Sequence, residues 1–169
     1  TMYDELTKVD IDKMQAEIDE RMTVLRPKIM EEVRTARAFG DLSENYEYKA
    51  AKQEMRKNES RIRYLKRMVA TAKVIPASET PADEVGLFSW VTLQYEEDGE
   101  REEIQLVTTL RQNAQKGLIS KESPLGKALM GRHVGERVHI EVEGQEGYWV
   151  VVSALRPGED DASLPISRY

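Results

Sequence analysis

Eight apolar residues, Ile11, Met14, Ile18, Met22, Leu25, Ile29, Val33 and Ala36, follow one another in steps of three or four. That spacing holds side chains on one face of an α-helix and fits no strand. The same positions recur every eleven residues, close to the natural helical period, so little left-handed supercoil is demanded. A second stripe runs through Tyr48, Ala51, Met55, Ile62, Leu65, Val69 and Ala72. Gly40 breaks the pattern between them, as a glycine after a helix end does. With so short a connection the two helices must fold back antiparallel. Two helices of roughly 28 residues make a hairpin about 40 Å long. Pro27 sits inside the first stripe and should bend it locally. Asn58 falls on the seam of the second, where a polar residue can set register.

The character of the chain changes after residue 75. Two prolines without periodicity mark residues 76–84 as a linker. Leu87–Tyr95 and Arg101–Thr108 flank an Asp-Gly turn and read as a hairpin, as do Arg137–Val142 and Tyr148–Leu155. Ser123, Pro124 and Gly131 supply the cap, first turn and stop of a short helix. The fold class is therefore α+β: a long antiparallel α-helical coiled-coil hairpin (1–75), the linker, and an antiparallel-sheet domain with one short helix (85–157). Trp90, Leu93, Ile104, Leu106, Ile140, Val150 and Val152 are the expected core. Residues 1–9 read as a poorly ordered lead-in or a first helical turn, and 158–169 as a disordered tail.

Composition narrows the chemistry. The sequence has no cysteine, which excludes disulfides, thiolate zinc and a cysteine nucleophile. Two histidines, His133 and His139, are too few for a histidine metal site, and neither is given a role. No apolar run is long enough for a membrane span, and no secretion-signal layout opens the chain. The lack of cysteine is compatible with the cytoplasm, and a cytoplasmic monomer is expected. The net charge of −6 conceals an asymmetry. Residues 44–73 carry nine basic and four acidic residues, whereas 74–169 carry nine basic and 17 acidic.

Two constellations carry chemistry. Asp41 and Glu44 stand at the hairpin tip. Asp-x-x-Glu at a helix start is also a capping box, with Asp41 or Ser43 as the cap. Two solvated carboxylates can hold Mg²⁺ only loosely, yet they can complete a site that another protein supplies. The second helix presents Lys49, Lys52, Arg56, Arg63, Lys66 and Arg67 away from its apolar stripe. This is either a solvated face or a nucleic-acid contact. Tyr46 and Tyr48 can stack on bases, although Tyr48 suits packing at the tip.

The run Arg26-Pro27 … Ala36-Arg37 … Gly40-Asp41-Leu42-Ser43-Glu44-Asn45 … Glu47-Tyr48 … Ala50-Ala51-Lys52 resembles the Gre transcript-cleavage factors, the GreA/GreB family. The distal Leu118-Ile119-Ser120 … Ser123-Pro124-Leu125-Gly126-Lys127-Ala128-Leu129-Met130-Gly131 is similar to that family's second signature. The resemblance implies a globular domain that is FKBP-like and docks at the rim of bacterial RNA polymerase. It implies a hairpin that enters the secondary channel of the enzyme. Asp41 and Glu44 would there help hold a catalytic Mg²⁺ while the polymerase cleaves the backtracked 3′ end of its nascent RNA, making this chain a stimulator rather than an enzyme. Lys49, Lys52, Arg56 and Arg63 would face RNA. Arg111, Asn113, Ser123 and Pro124 match the docking region, but Arg111 and Asn113 stand where the family usually has acids. Two alternatives stay open: a secondary-channel regulator that does not stimulate cleavage, and, by fold analogy alone, a prolyl isomerase.

Overall fold

The computed structural model describes residues 4–40, 44–76 and 81–167. They form two compact units, Ile11–Ala72 and a second made of Thr1–Asp10 with Lys73–Tyr169. In the helical unit, α1 (Lys8–Glu20) passes through one π-helical turn, Arg21–Leu25, into α2 (Arg26–Arg37). Pro27 explains the turn. Its nitrogen has no proton to give, and its ring crowds the carbonyl four residues back. The ladder resets just before it: the Arg26 N–H bonds the Arg21 carbonyl, five residues earlier. One extra residue is thereby absorbed without breaking the helix.

Helix α3 (Tyr46–Thr71) returns antiparallel. Three polar links tie the arms together, drawing on Glu17, Arg21 and Arg26 from one side and Arg61, Asn58 and Glu59 from the other. Arg26 pairs with Glu59 through Nε and Nη2 at 2.7 and 2.8 Å. Arg21 Nη1 donates to Asn58 Oδ1 at 3.0 Å, and Arg61 Nε donates to Glu17 Oε2 at 2.7 Å. Asn58 is 3% exposed, so the polar residue on the seam is a buried register pin. Around these links Met14, Ile18, Ile62 and Leu65 are buried, and Ile29, Val33 and Ala51 pack with Leu25, Tyr48 and Met55.

The second unit holds a short pair, β1 (Glu5–Leu6) and β2 (Lys73–Val74), and a five-stranded sheet of β3 (Trp90–Tyr95), β4 (Arg101–Val107), β5 (Leu118–Ser120), β6 (Arg137–Ile140) and β7 (Tyr148–Arg156). The sheet order is β5-β4-β3-β7-β6. Both expected hairpins are present, and α4 (Pro124–Leu129) has its Ser123 cap, with Oγ accepting from the Gly126 N–H at 3.1 Å. Gly126 is obligatory for a different reason: a Cβ there would lie 2.1 Å from the Ser120 carbonyl oxygen. The core joins Val91, Leu93, Ile104, Leu106, Ile140, Val150 and Val152 with Val85, Leu129 and Val138.

Four expectations are corrected. The sheet is mixed, because β5 pairs parallel with β4; three residues were too few to read as a strand. Trp90 leaves the core to Val91, since alternation places them on opposite faces, and its ring lies under Arg156. The described part of the lead-in, residues 4–9, is placed: β1 pairs parallel with β2, and only its last two residues enter the first turn of α1. The tail is held as well. Leu164 packs against Leu87, Phe88, Val107 and Leu118, and the Ser167 N–H bonds the Leu110 carbonyl.

Candidate functional site

The tip is built by the end of α2 and the start of α3. Arg34 and Arg37 occupy the last turn of α2, where cations complement the exposed carbonyls. Gly40 then takes φ +78°, a left-handed conformation that side chains resist. The cap of α3 is Asn45. Its Oδ1 accepts from the Tyr48 N–H at 3.0 Å, and its Nδ2 donates to the Ala36 carbonyl at 2.7 Å. One amide thus closes both helix ends. The sequence expectation of Asp41 or Ser43 as cap falls on residues outside those described. The signal for Asn45 was present, since asparagine is a favoured cap three residues before a satisfied N–H.

This assignment changes the standing of Glu44. It precedes the cap, so the structure gives it no place in a capping box. Its side chain is exposed, and among the described residues no hydrogen bond or ion pair engages its carboxylate. Asp41 lies outside the described residues. Tyr46 is 80% exposed, with the Lys49 ammonium 5.5 Å from its ring centroid. Tyr48 is half-buried beneath Arg37 and packs with the helical core.

The basic residues divide. Lys49, Arg56 and Arg63 are exposed on α3. Lys52 is half-buried and lines a hollow with Met30, Val33, Arg34, Arg37 and Met55. Arg34 and Arg37, from α2, therefore extend the basic side; sequence reading of α3 alone missed them because they belong to the other helix. Across the hairpin, Glu31, Glu32, Glu47 and Glu54 line a second groove with Lys28. Arg61 contributes nothing to the basic side. It is buried and its charge is matched by Glu17, which also accepts from Arg21 Nε at 2.7 Å. Burial by itself would raise the Glu17 carboxyl, but the hydrogen bonds from Arg61 and Arg21 outweigh it and hold the group below the usual carboxylate range.

The four docking candidates lie in the sheet unit, and one requires correction. Arg111 is 1% exposed and cannot meet a partner surface. Its Nε donates to Asp10 Oδ1 at 2.6 Å, its Nη2 to Thr7 Oγ1 at 3.2 Å, and its Nη1 to the Asp161 carbonyl at 2.9 Å. Asp160 pairs with Nη2 as well, and Phe88 stacks against the guanidinium. Asp10 is fully buried, and its second oxygen accepts from Thr108 Oγ1 at 2.8 Å and from the Thr7 N–H at 3.1 Å. Arg111 thus clamps the lead-in and the tail onto the loop after β4. Asn113 is half-buried and its backbone bridges to Leu118. Ser123 is committed to its cap. Pro124 is exposed.

Among the described residues no three His, Asp or Glu side chains converge as a metal cluster, and no helix is long and apolar enough to cross a membrane. Residues 5–74 match the family model described as transcription elongation factor, N-terminal, and residues 80–156 match that described as transcription elongation factor, GreA/GreB, C-term. A transcription elongation factor GreA of Chloroherpeton thalassium is 39% identical over 81% of this chain and 87% of its own. One of Geobacillus kaustophilus is 39% identical over 83% and 89%. Among solved structures, the GreA factor homolog 1 protein of Thermus thermophilus is 26% identical, with a TM-score of 0.40, over 92% of this chain and 99% of that one.

Proposed function

The chain belongs to the GreA/GreB family of transcription elongation factors, and we propose that it acts by carrying the Glu44 carboxylate, with Asp41, into the active site of a bacterial RNA polymerase through its secondary channel. There the pair stimulates the polymerase's own hydrolysis of backtracked RNA. The observation that carries the reading is the division of labour at the tip. Asn45 performs the capping and Glu44 is left exposed and unengaged among the described residues. A carboxylate with no structural duty is a hard oxygen donor available to an incoming cation.

Asp41 and Glu44 would hold Mg²⁺ jointly with the polymerase, and the ion would supply activation of water and neutralisation of charge on the scissile phosphate. The chain's own contribution is delivery and orientation. The hairpin brings the acids to the metal, and Asn45 fixes where α3 begins, hence where Glu44 stands. Lys49, Lys52, Arg56 and Arg63, joined by Arg34 and Arg37, offer cations to the phosphates of the extruded RNA. Two carboxylates on a solvated tip bind metal weakly when free, so the chain is no nuclease by itself.

The test is release of short 3′ fragments from a stalled, backtracked complex in the presence of Mg²⁺. Asp41→Asn and Glu44→Gln should each abolish most of the stimulation while binding to polymerase persists. A tip variant that stimulates like wild type would sink the delivery role of that carboxylate. One observation supports a second reading, a channel-occupying regulator. The loop after β4 carries no acid at 111 or 113, and Arg111 is spent inside the fold. Binding without fragment release would favour it.

A further inference from the structure

Resting on the cleavage reading above, we propose that Tyr46 is a stacking platform for an unpaired nucleobase of the extruded RNA 3′ segment, with Lys49 holding the adjoining phosphate. Three observations converge. First, the two most exposed large apolar side chains described on the hairpin, Phe39 at 71% and Tyr46 at 80%, stand on the two sides of the turn, ahead of Val24 at 61% and Met30 at 52% farther along. Neither helps the hairpin to fold, since the tip core is made by Tyr48, Ala51 and Met55 with Ile29 and Val33. Second, the tyrosines of α3 differ in kind. Tyr48 and Tyr64 are half-buried, each with an arginine against its ring. Tyr46, the first residue of the helix, is left exposed, and among the described residues its ring faces the Lys49 ammonium.

Third, the chemistry is complementary to one ligand class. A phenol ring with an ammonium 5.5 Å from its centroid presents a π-face and a positive charge together. Single-stranded RNA offers a π-face and a negative phosphate at the same scale. Tyr46 lies two residues from Glu44, so a base held there positions the neighbouring phosphodiester near the carboxylate. Stacking tolerates every base but favours the larger purine ring, which gives the interaction a signature that a merely structural tyrosine lacks.

Backtracked complexes of bacterial RNA polymerase, with transcripts ending in A or in U, would be cleaved by wild type, Tyr46→Ala and Tyr46→Phe across a range of factor concentrations. Stacking predicts a drop of about tenfold in the cleavage rate at saturating Tyr46→Ala, with loss of the A-over-U difference and full rescue in Tyr46→Phe. Tyr46→Ala with an unchanged saturated rate and an unchanged A-over-U ratio would overturn the proposal. So would an effect confined to the half-saturating concentration. A second readout separates this inference from the cleavage reading. A 4-thiouridine at the RNA 3′ end should crosslink to the tryptic fragment of residues 38–49 in Glu44→Gln, which binds without cleaving, and lose that crosslink in Glu44→Gln/Tyr46→Ala. If wild type releases no fragment, the crosslink alone decides: present, it supports stacking; absent, it overturns it.

Discussion

Replacing Arg111 with methionine should cost the sheet unit about 3–5 kcal/mol. The size follows from what the substitution strands. Asp10 is 0% exposed and its Oδ1 is held by Arg111 Nε at 2.6 Å. Methionine fills most of the volume but leaves a buried carboxylate without its counter-ion, and breaking a buried pair from one side costs about that much. Thr7 and Thr108 still hydrogen-bond the other carboxylate oxygen, which argues for the lower end of the range. A domain of this size loses at least about 4 °C of melting temperature per kcal/mol, so the midpoint should fall by about 12 °C or more. Hydrogen exchange should rise first at residues 4–10 and 158–167, the segments that Arg111 ties together. Adding Asp10→Asn removes the stranded charge. The double variant Asp10→Asn/Arg111→Met should therefore be less destabilised than the sum of the two single variants, by at least about 1 kcal/mol. Strictly additive losses, or a loss below about 1 kcal/mol for Arg111→Met, would refute the clamp.

Two further perturbations address the helical unit. Asn45→Ala removes the cap of α3 and the bond to the Ala36 carbonyl, so hairpin stability should fall by about 1 kcal/mol, read as a lower urea midpoint at unchanged slope. Glu17 contributes to acid sensitivity. Its carboxyl is held below its ordinary value of 4.5 in the folded chain by the hydrogen bonds from Arg61 and Arg21, which outweigh burial, so its stabilising contribution is complete above the unfolded value and is lost as pH falls through the lower, folded one. Melting of wild type and Glu17→Gln, followed from pH 7 downward, should begin to draw together below pH 4.5 and meet only once the pH is under the lower, folded value. Curves that stay parallel would remove Glu17 from the acid transition.

The helical hairpin was legible because its information is local. Steps of three and four residues define each stripe, Gly40 ends one helix, and a short turn forces the return. The strand pairs and the Ser123 cap were legible for the same reason, since alternation and turn chemistry act over a few neighbours. The candidate site was half legible. Glu44 and the basic residues of α3 could be read from residue type and placement, whereas the freedom of Glu44 depended on Asn45 taking the cap. Arg37 joined the basic side only because α2 packs beside α3.

Local residue pattern sets the elements, their order and the signatures that align the chain with its family. How distant polar groups are spent is settled only when the chain packs. Arg111 looked like a surface charge in a docking loop. Its partners lie 101 residues before it at Asp10 and 49 after it at Asp160, and no local pattern encodes such a meeting. The same buried charge ties residues 7–10 to residues 160–161, because a guanidinium removed from water must find its acceptors wherever the chain can bring them.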